Sequence, residues 1–172
     1  MSNAASQKLA EHYHNMVDWV NWQIEDLTDE EMRQSIAPGT NHGIWLLGHL
    51  IVSDDDLGIY LGKGDRLFPE LFATFGQSSQ CLAPEKYPTL PELKEMWKKV
   101  SERNHEMLLE LSDEDLYQPH ARFQDNERDF FKTKFRVISF WILHQQYHAG
   151  QLGLLNAVTM RKRTSNNTIG LA

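Results

Sequence analysis

The sequence lacks several features that mark common functional classes. Cys81 is its only cysteine, which excludes an internal disulfide and a CxxC-type metal site. No apolar run approaches the roughly 18 residues that a membrane-spanning helix needs. Lys and Arg number 17 against 24 Asp and Glu, and the only basic cluster is Arg161, Lys162 and Arg163. With a net charge of -7, we expect no binding to nucleic acid and none to an anionic membrane surface.

The composition that remains is typical of one globular domain. The chain has 172 residues, of which 41% are hydrophobic and 24% charged, enough to bury a sizeable core. Its start is polar and does not resemble a signal peptide, so the sequence predicts a cytoplasmic protein. We expect a single domain over residues 1–160 and a polar C-terminal tail over residues 161–172.

Apolar residues recur at helical spacing in four segments. Pro38 and Gly39 precede the second segment, Thr40 or Asn41 is expected to cap it, and Gly62 to end it. Long connections join the second to the third segment and the third to the fourth, and the latter, around residues 122–135, would allow a short strand or hairpin. The pattern predicts an all-α four-helix bundle with long crossover connections. The four segments are about 6–27, 38–62, 89–111 and 133–159.

The fourth segment carries polar residues on an apolar face. Positions that alternate by three and four residues share one side of a helix. A buried imidazole without a partner costs about 1–3 kcal/mol, so the histidines on this line need partners. The line that passes through His144 contains Val137, Trp141, His144, His148, Gln151, Leu155 and Val158.

Three interior histidines are candidate metal ligands. His144 and His148 lie one helical turn apart, about 6 Å along the axis, which lets both rings converge on one ion. His49 interrupts the apolar stretch "IWLLGHLIV" of the second segment. Three imidazoles with an open coordination position are typical of catalytic metal sites, and Zn²⁺, Ni²⁺, Co²⁺ and Fe²⁺ all accept such ligands. The alternative is a core without metal in which the three histidines are hydrogen-bonded.

The other polar candidates have weaker patterns. The sequence reveals no general base. Asp54, Asp55 and Asp56 follow His49 and are expected to form a solvated acidic turn rather than groups that support the site. The remaining histidines are interpreted as structural or solvated: His12, His14, His42, His105 and His120.

Three stretches together resemble the DinB/YfiT-like family of four-helix-bundle metalloproteins. They are "YHNMVDWVNWQIEDLTDEE", "NHGIWLLGHLIVSDD" and "HQQYHAGQLGLL", the last similar to the family's HxxxHxGQ signature. The resemblance implies that His49, His144 and His148 are the metal ligands. Gln151 occupies the family's Gln position and either bonds a ligand or metal-bound water or satisfies a backbone group.

The resemblance also implies a range of functions. Some family members are thiol-dependent transferases or isomerases. We therefore expect a metal-dependent enzyme of thiol-transferase or hydrolase type that acts on a small molecule, with a low-molecular-weight thiol as the candidate substrate. The expected cofactor is Zn²⁺ or Ni²⁺, with iron, cobalt and manganese also compatible. The alternative is a non-catalytic, metal-stabilised ligand-binding or stress-related module.

The resemblance finally implies a homodimer. Gly150, Gly153 and Ala157 form a line of small residues on the fourth helix, which suits close helix contact. The sequence leaves open whether that contact lies between two chains or within one.

Overall fold

The computed structural model describes residues 2–124 and 131–169, with side chains described up to residue 165. Four long helices and three short ones make up the described regular structure, together with two single 3-10 turns at Pro69–Leu71 and Pro84–Lys86. The long helices are α1 (Ala4–Ile24), α3 (Gly43–Leu61), α5 (Leu90–Leu109) and α7 (Lys134–Ile169). The short helices are α2 (Asp29–Met32), α4 (Phe72–Phe75) and α6 (Asp113–Tyr117).

The four long helices form the predicted bundle, so the all-α prediction is confirmed. Helices α1 and α3 each pack against both α5 and α7, which places α1 diagonally opposite α3 and α5 diagonally opposite α7. The connections from α1 to α3 and from α5 to α7 therefore cross the end of the bundle. Each of them contains one short helix, α2 or α6.

The predicted hairpin lies partly outside the described residues. Of the predicted residues 122–135, residues 125–130 lie outside the part of the chain that the structure describes. In the segments that the structure does describe, there is no strand, and the only pairing near this region is an isolated antiparallel bridge between Pro119 and Thr133.

Two helix boundaries differ from the sequence prediction. The cap of α3 is His42, whose Nδ1 accepts a hydrogen bond from the Trp45 amide at 3.0 Å, rather than Thr40 or Asn41. The end of α3 is as predicted, because Gly62 adopts the left-handed conformation with φ 70°. Helix α7 continues to Ile169 and includes most of the segment assigned to the polar tail.

Two glycines in the line of small residues on α7, Gly153 and Gly150, lie in different surroundings. A side chain at Gly153 would lie 2.8 Å from Gln23 Oε1 of α1, so this glycine allows close contact within the chain. Gly150 faces open space between the exposed side chains of Leu143, Tyr147 and Leu154. The homodimer itself stays a prediction. Among the described helices, none combines the length and apolar character that crossing a bilayer would need.

Candidate metal centre

Three histidines from two helices meet at one point of the bundle. His49 comes from α3, and His144 and His148 come from successive turns of α7. Each offers one ring nitrogen such that the three nitrogens lie within 4.8 Å of one another. Nε2 of His49 is 3.4 Å from Nε2 of His144. The structure thus brings together all three candidate ligands that the sequence singled out.

The ring of His49 is held from two sides. Its Nδ1–H donates to the backbone carbonyl of Phe75 at 2.7 Å, and Trp45 stacks on the ring with centroids 4.9 Å apart and planes only 6° from parallel. A carbonyl oxygen only accepts, so the proton of the neutral imidazole sits on Nδ1 and Nε2 carries the free lone pair.

Gly48 makes that carbonyl contact possible. A Cβ atom at this position would lie 2.2 Å from the ring of Phe75, which is fully buried. The glycine therefore lets α4 press its aromatic ring directly on α3, and the same residue's carbonyl then reaches His49. The group that approaches α3 most closely at Gly48 is thus a side chain, the ring of Phe75.

The two histidines of α7 have similar supports. Nδ1 of His148 lies 2.7 Å from Oε1 of Gln151, and Nδ1 of His144 lies 3.2 Å from the Ser53 hydroxyl. Gln151 thus contacts a member of the cluster through its side chain. With its Nδ1–H donated to the amide oxygen, His148 also presents Nε2 as its free nitrogen.

The electrostatics of the cluster keep the rings of His144 and His148 neutral. Burial, together with the neighbouring His148 and His49, lowers the pKa of His144 to about 4. Burial also lowers the pKa of His148, although its bond to Gln151 works in the opposite direction. Both rings are therefore unprotonated at neutral pH, which is the form that binds metal ions.

A cavity of about 650 Å³ opens beside the cluster. Its floor is one face of α3 from His49 to Tyr60, and its wall on α7 includes Trp141, whose Nε1–H donates to the Ser53 carbonyl at 2.6 Å. The lining is rich in aromatic rings and also contains a few charged side chains. His49 and His144 form one end of this lining, so a molecule in the cavity would reach the cluster.

Comparison with known families identifies the fold and its relatives. The family model described as the DinB superfamily matches residues 12–152, a span that contains all three histidines and Gln151. The chain belongs to the DinB superfamily. A crystal structure of a conserved protein from Enterococcus faecalis is similar to it with a TM-score of 0.69, covering 91% of this chain and 96% of that chain. At 16% sequence identity, this likeness shows the fold alone. No curated protein sequence matches the chain.

The predicted solvated acidic turn is wrong for two of its three residues in this DinB superfamily member. Asp54 is 0% exposed and Asp55 is 1% exposed. Asp54 accepts hydrogen bonds from the Tyr13 hydroxyl and, at 2.8 Å, from Gln145 Nε2. Asp55 pairs with Arg103 at 2.8 Å. Burial raises the pKa of Asp54 to about 6.

The sequence held a signal for this buried acid. Asp54 follows Leu47 by seven residues and precedes Leu61 by seven, and both leucines are core residues. Helical periodicity thus places Asp54 on the core side of α3. The run of three acids hid this position, because runs of charge are usually solvated.

The other histidines stay away from the cluster, as expected. Among the described residues, the only group of three or more metal-binding side chains that meet is the His49, His144 and His148 cluster. His42 is buried as the cap of α3, and His120 is buried against the ring of Tyr60. His14 and His105 contact each other with ring centroids 5.3 Å apart.

Proposed function

We propose that this DinB superfamily protein is a divalent-metal-dependent enzyme that acts on a small molecule. His49, His144 and His148 would hold the ion, with Zn²⁺ or Ni²⁺ as the expected metal. The reaction would be of thiol-transferase or hydrolase type. The observation that carries the proposal is the orientation of the cluster, in which the Nδ1 atom of each ring contacts another protein group.

The donor set fits a divalent transition metal. Metal-bound histidines usually donate their second ring N–H to a carbonyl or carboxylate, which fixes the tautomer and the ring direction. The Phe75 carbonyl and the Gln151 amide oxygen do this for His49 and His148. The 3.4 Å contact between the Nε2 atoms of His49 and His144 is long for a hydrogen bond. Even as a hydrogen bond it would leave Nε2 of His148 without a partner among the described residues. This argues against the alternative of a core without metal in which the three histidines are simply hydrogen-bonded.

The cavity favours a catalytic over a purely structural role. Structural metal sites are closed by four protein ligands, whereas catalytic sites keep one position open to solvent or substrate. Three histidines beside a cavity of about 650 Å³ match the second arrangement. This difference supports the enzyme over the non-catalytic, metal-stabilised module.

The roles of the chain's own residues follow from their contacts. Phe75 and Gln151 keep protons on the Nδ1 atoms of two ligands, so that the Nε2 lone pairs stay free. The aromatic lining of the cavity limits the access of water to a bound molecule. A divalent ion would supply Lewis acidity toward a thiol, a water or a carbonyl that reaches it. We assign no catalytic base, because Asp56, the acid that lines the cavity, is already paired with Arg66 at 2.6 Å.

Elemental analysis tests the metal site. The full chain, purified without a nickel column, is expected to carry about one ion, while His49→Ala and His148→Ala carry none because two imidazoles bind much more weakly than three. His12→Ala is the matched control, since His12 is exposed and outside the cluster. A wild-type chain that takes up no divalent metal would sink the proposal.

A turnover assay then separates the enzyme from the module. Metal-loaded protein is expected to catalyse either conjugation of a low-molecular-weight thiol, such as a glutathione-type thiol, to an electrophile or hydrolysis of a simple ester. His148→Ala should lose that activity. A chain that binds one ion, melts at a much lower temperature after chelation and turns over neither class would instead be the structural module.

A further inference from the structure

The cavity beside the histidines has a charged end. Arg66 is fixed there, because its Nε–H donates to Asp56 at 2.6 Å and its guanidinium carbon lies 4.1 Å above the ring of Phe72. Its two terminal nitrogens have no partner among the described residues. They therefore keep their hydrogen-bonding capacity for a ligand.

Arg122 also lines the cavity. The amide of the preceding residue, Ala121, donates to the carbonyl of Tyr60 at 2.8 Å, which anchors this segment at the C-terminal end of α3. In the described part of the chain, the guanidinium of Arg122 makes no ion pair and no hydrogen bond. Arg66 is paired with Asp56, and Arg122 follows a residue bonded to Tyr60, so both arginines line the cavity beside the C-terminal part of α3.

The charges of the lining favour an anion. Among the described residues of the lining, two guanidinium groups accompany a single carboxylate, that of Asp56. A concave site with one excess positive charge attracts negatively charged molecules. Guanidinium groups bind carboxylates through two parallel hydrogen bonds, an arrangement that also fixes orientation.

The size and walls of the cavity restrict the rest of the ligand. Asp56 follows His49 by seven residues on α3, so the arginine end lies about 10 Å along the helix axis from the histidine cluster. Between the two ends the walls are mostly apolar and aromatic: Val52, Ile59, Phe131, Phe140 and Trp141. Such walls gain free energy from covering an apolar body of ring size.

We propose that this cavity binds a small carboxylate with an apolar, ring-sized body, held with its carboxylate at Arg66 and Arg122 and its far end at the histidine cluster. The inference rests on the proposed function only in treating the cavity as the substrate site of the metal centre. Binding of the carboxylate itself does not require the ion.

The test uses the full chain freed of metal by chelation. Its affinity for 4-phenylbutanoate is compared with that for the neutral 4-phenylbutanamide, by calorimetry and by NMR line broadening of the ligand. The carboxylate is expected to bind at least tenfold more tightly, because the amide offers no charge to the guanidinium groups. Arg122→Gln should remove most of this preference, whereas Arg161→Gln, an exposed arginine of α7 outside the cavity, should leave it unchanged.

Equal affinity for the two compounds, no binding of either, or an unchanged preference in Arg122→Gln would overturn the proposal. Because Arg122 is exposed and its side chain is unpaired in the described structure, we expect Arg122→Gln to fold like wild type, so a change in affinity reports on the binding site. Metal content is measured on the same preparations. A chain that binds one ion but no carboxylate refutes this inference and leaves the proposed metal centre intact. A chain that binds the carboxylate but no ion supports this inference and refutes the metal centre.

Discussion

Two polar clusters lie side by side in the interior of the bundle and behave differently. The first is the histidine cluster, His49, His144 and His148, which comes from two helices and is half-buried. The second, which we call the core network, consists of one residue from each long helix: Tyr13, Asp54, Asn104 and Gln145. All four of these residues are 0% exposed.

The difference lies in how far the protein itself satisfies each group. In the core network, each carboxylate oxygen of Asp54 accepts a hydrogen bond, one from Tyr13 and one from Gln145, and the Asp54 carbonyl accepts one from Asn104 at 2.8 Å. In the histidine cluster, the protein satisfies the Nδ1 atoms and leaves the Nε2 atoms facing one another. Asp54 has a protein partner for each carboxylate oxygen and so holds the helices in register, although Gln145 Oε1 has no hydrogen-bond partner among the described residues. The Nε2 atoms of the histidine cluster face one another and are available to a ligand.

Replacing one member of each cluster should show the largest contrast. In metal-free protein, Asp54→Ala is expected to lower the free energy of unfolding by about 3–5 kcal/mol, because it leaves the Tyr13 hydroxyl and the Gln145 amide buried without their partner and opens a cavity. His148→Ala should change it by less than about 1 kcal/mol, since the ring is half-buried and unpaired at Nε2. Urea unfolding of both variants measures this, and equal losses would remove the distinction between the two clusters.

The close approach at Gly48 links packing to the histidine cluster. Gly48→Ala should displace Phe75 and lower the free energy of unfolding by about 1–3 kcal/mol, as overpacking of a core does. It should also weaken metal binding, because the Phe75 carbonyl that orients His49 moves with the ring. Gly150→Ala is the control, because a Cβ atom at Gly150 meets no other atom. This variant should raise the free energy of unfolding by about 0.5–1 kcal/mol, since alanine is more favourable than glycine inside a helix. Thermal unfolding and metal titration of both variants check this, and a Gly48→Ala protein as stable as wild type would contradict it.

The acid of the core network should make stability depend on pH. Burial raises the pKa of Asp54 to about 6, above the value of 3.8 expected in the unfolded chain. The folded state therefore binds the proton more tightly, and the stabilisation from protonation is present below pH 3.8 and is lost as the pH rises through about 6. Between pH 4 and pH 7, wild type should lose about 2 kcal/mol relative to Asp54→Asn, in which this group no longer titrates.

Urea unfolding of both proteins across that range measures the difference. Carboxylates with lowered pKa values, such as Asp29 and Glu31, act in the opposite direction but are common to both proteins and cancel. Parallel pH profiles for wild type and Asp54→Asn would show that Asp54 is ionised throughout.

The contact of Gln151 with His148 should affect the metal affinity and not the stability of the metal-free chain. Gln151→Ala is expected to weaken metal binding about tenfold with little change in stability of the metal-free chain, because it removes the oxygen that orients the ring. Gln146→Ala, an exposed neighbour on α7, serves as the control. Competition with a chelating dye measures both affinities. An unchanged affinity in Gln151→Ala would mean that the amide only fills space.

Helical spacing predicted the fold and the histidine cluster. It did not predict the protein groups that contact the Nδ1 atoms of the cluster. His144 and His148 share a turn of α7 by their spacing alone, and His49 stands out because it interrupts an apolar run. The Phe75 carbonyl comes from a short helix in the long connection, where no periodic pattern exists. The cap at His42 was missed because a histidine is an uncommon cap beside the better candidates Thr40 and Asn41.

The sequence by itself determined which faces of the four long helices are apolar and that three histidines interrupt those faces. These are local properties, set by the repeat of the helix along the chain. Only the tertiary structure decided that Asp54 is enclosed by residues of the other three helices and that His49 and His144 have partners for Nδ1. Such pairings join residues far apart in the chain, and they depend on how diagonally opposed helices are brought together, which no local pattern encodes.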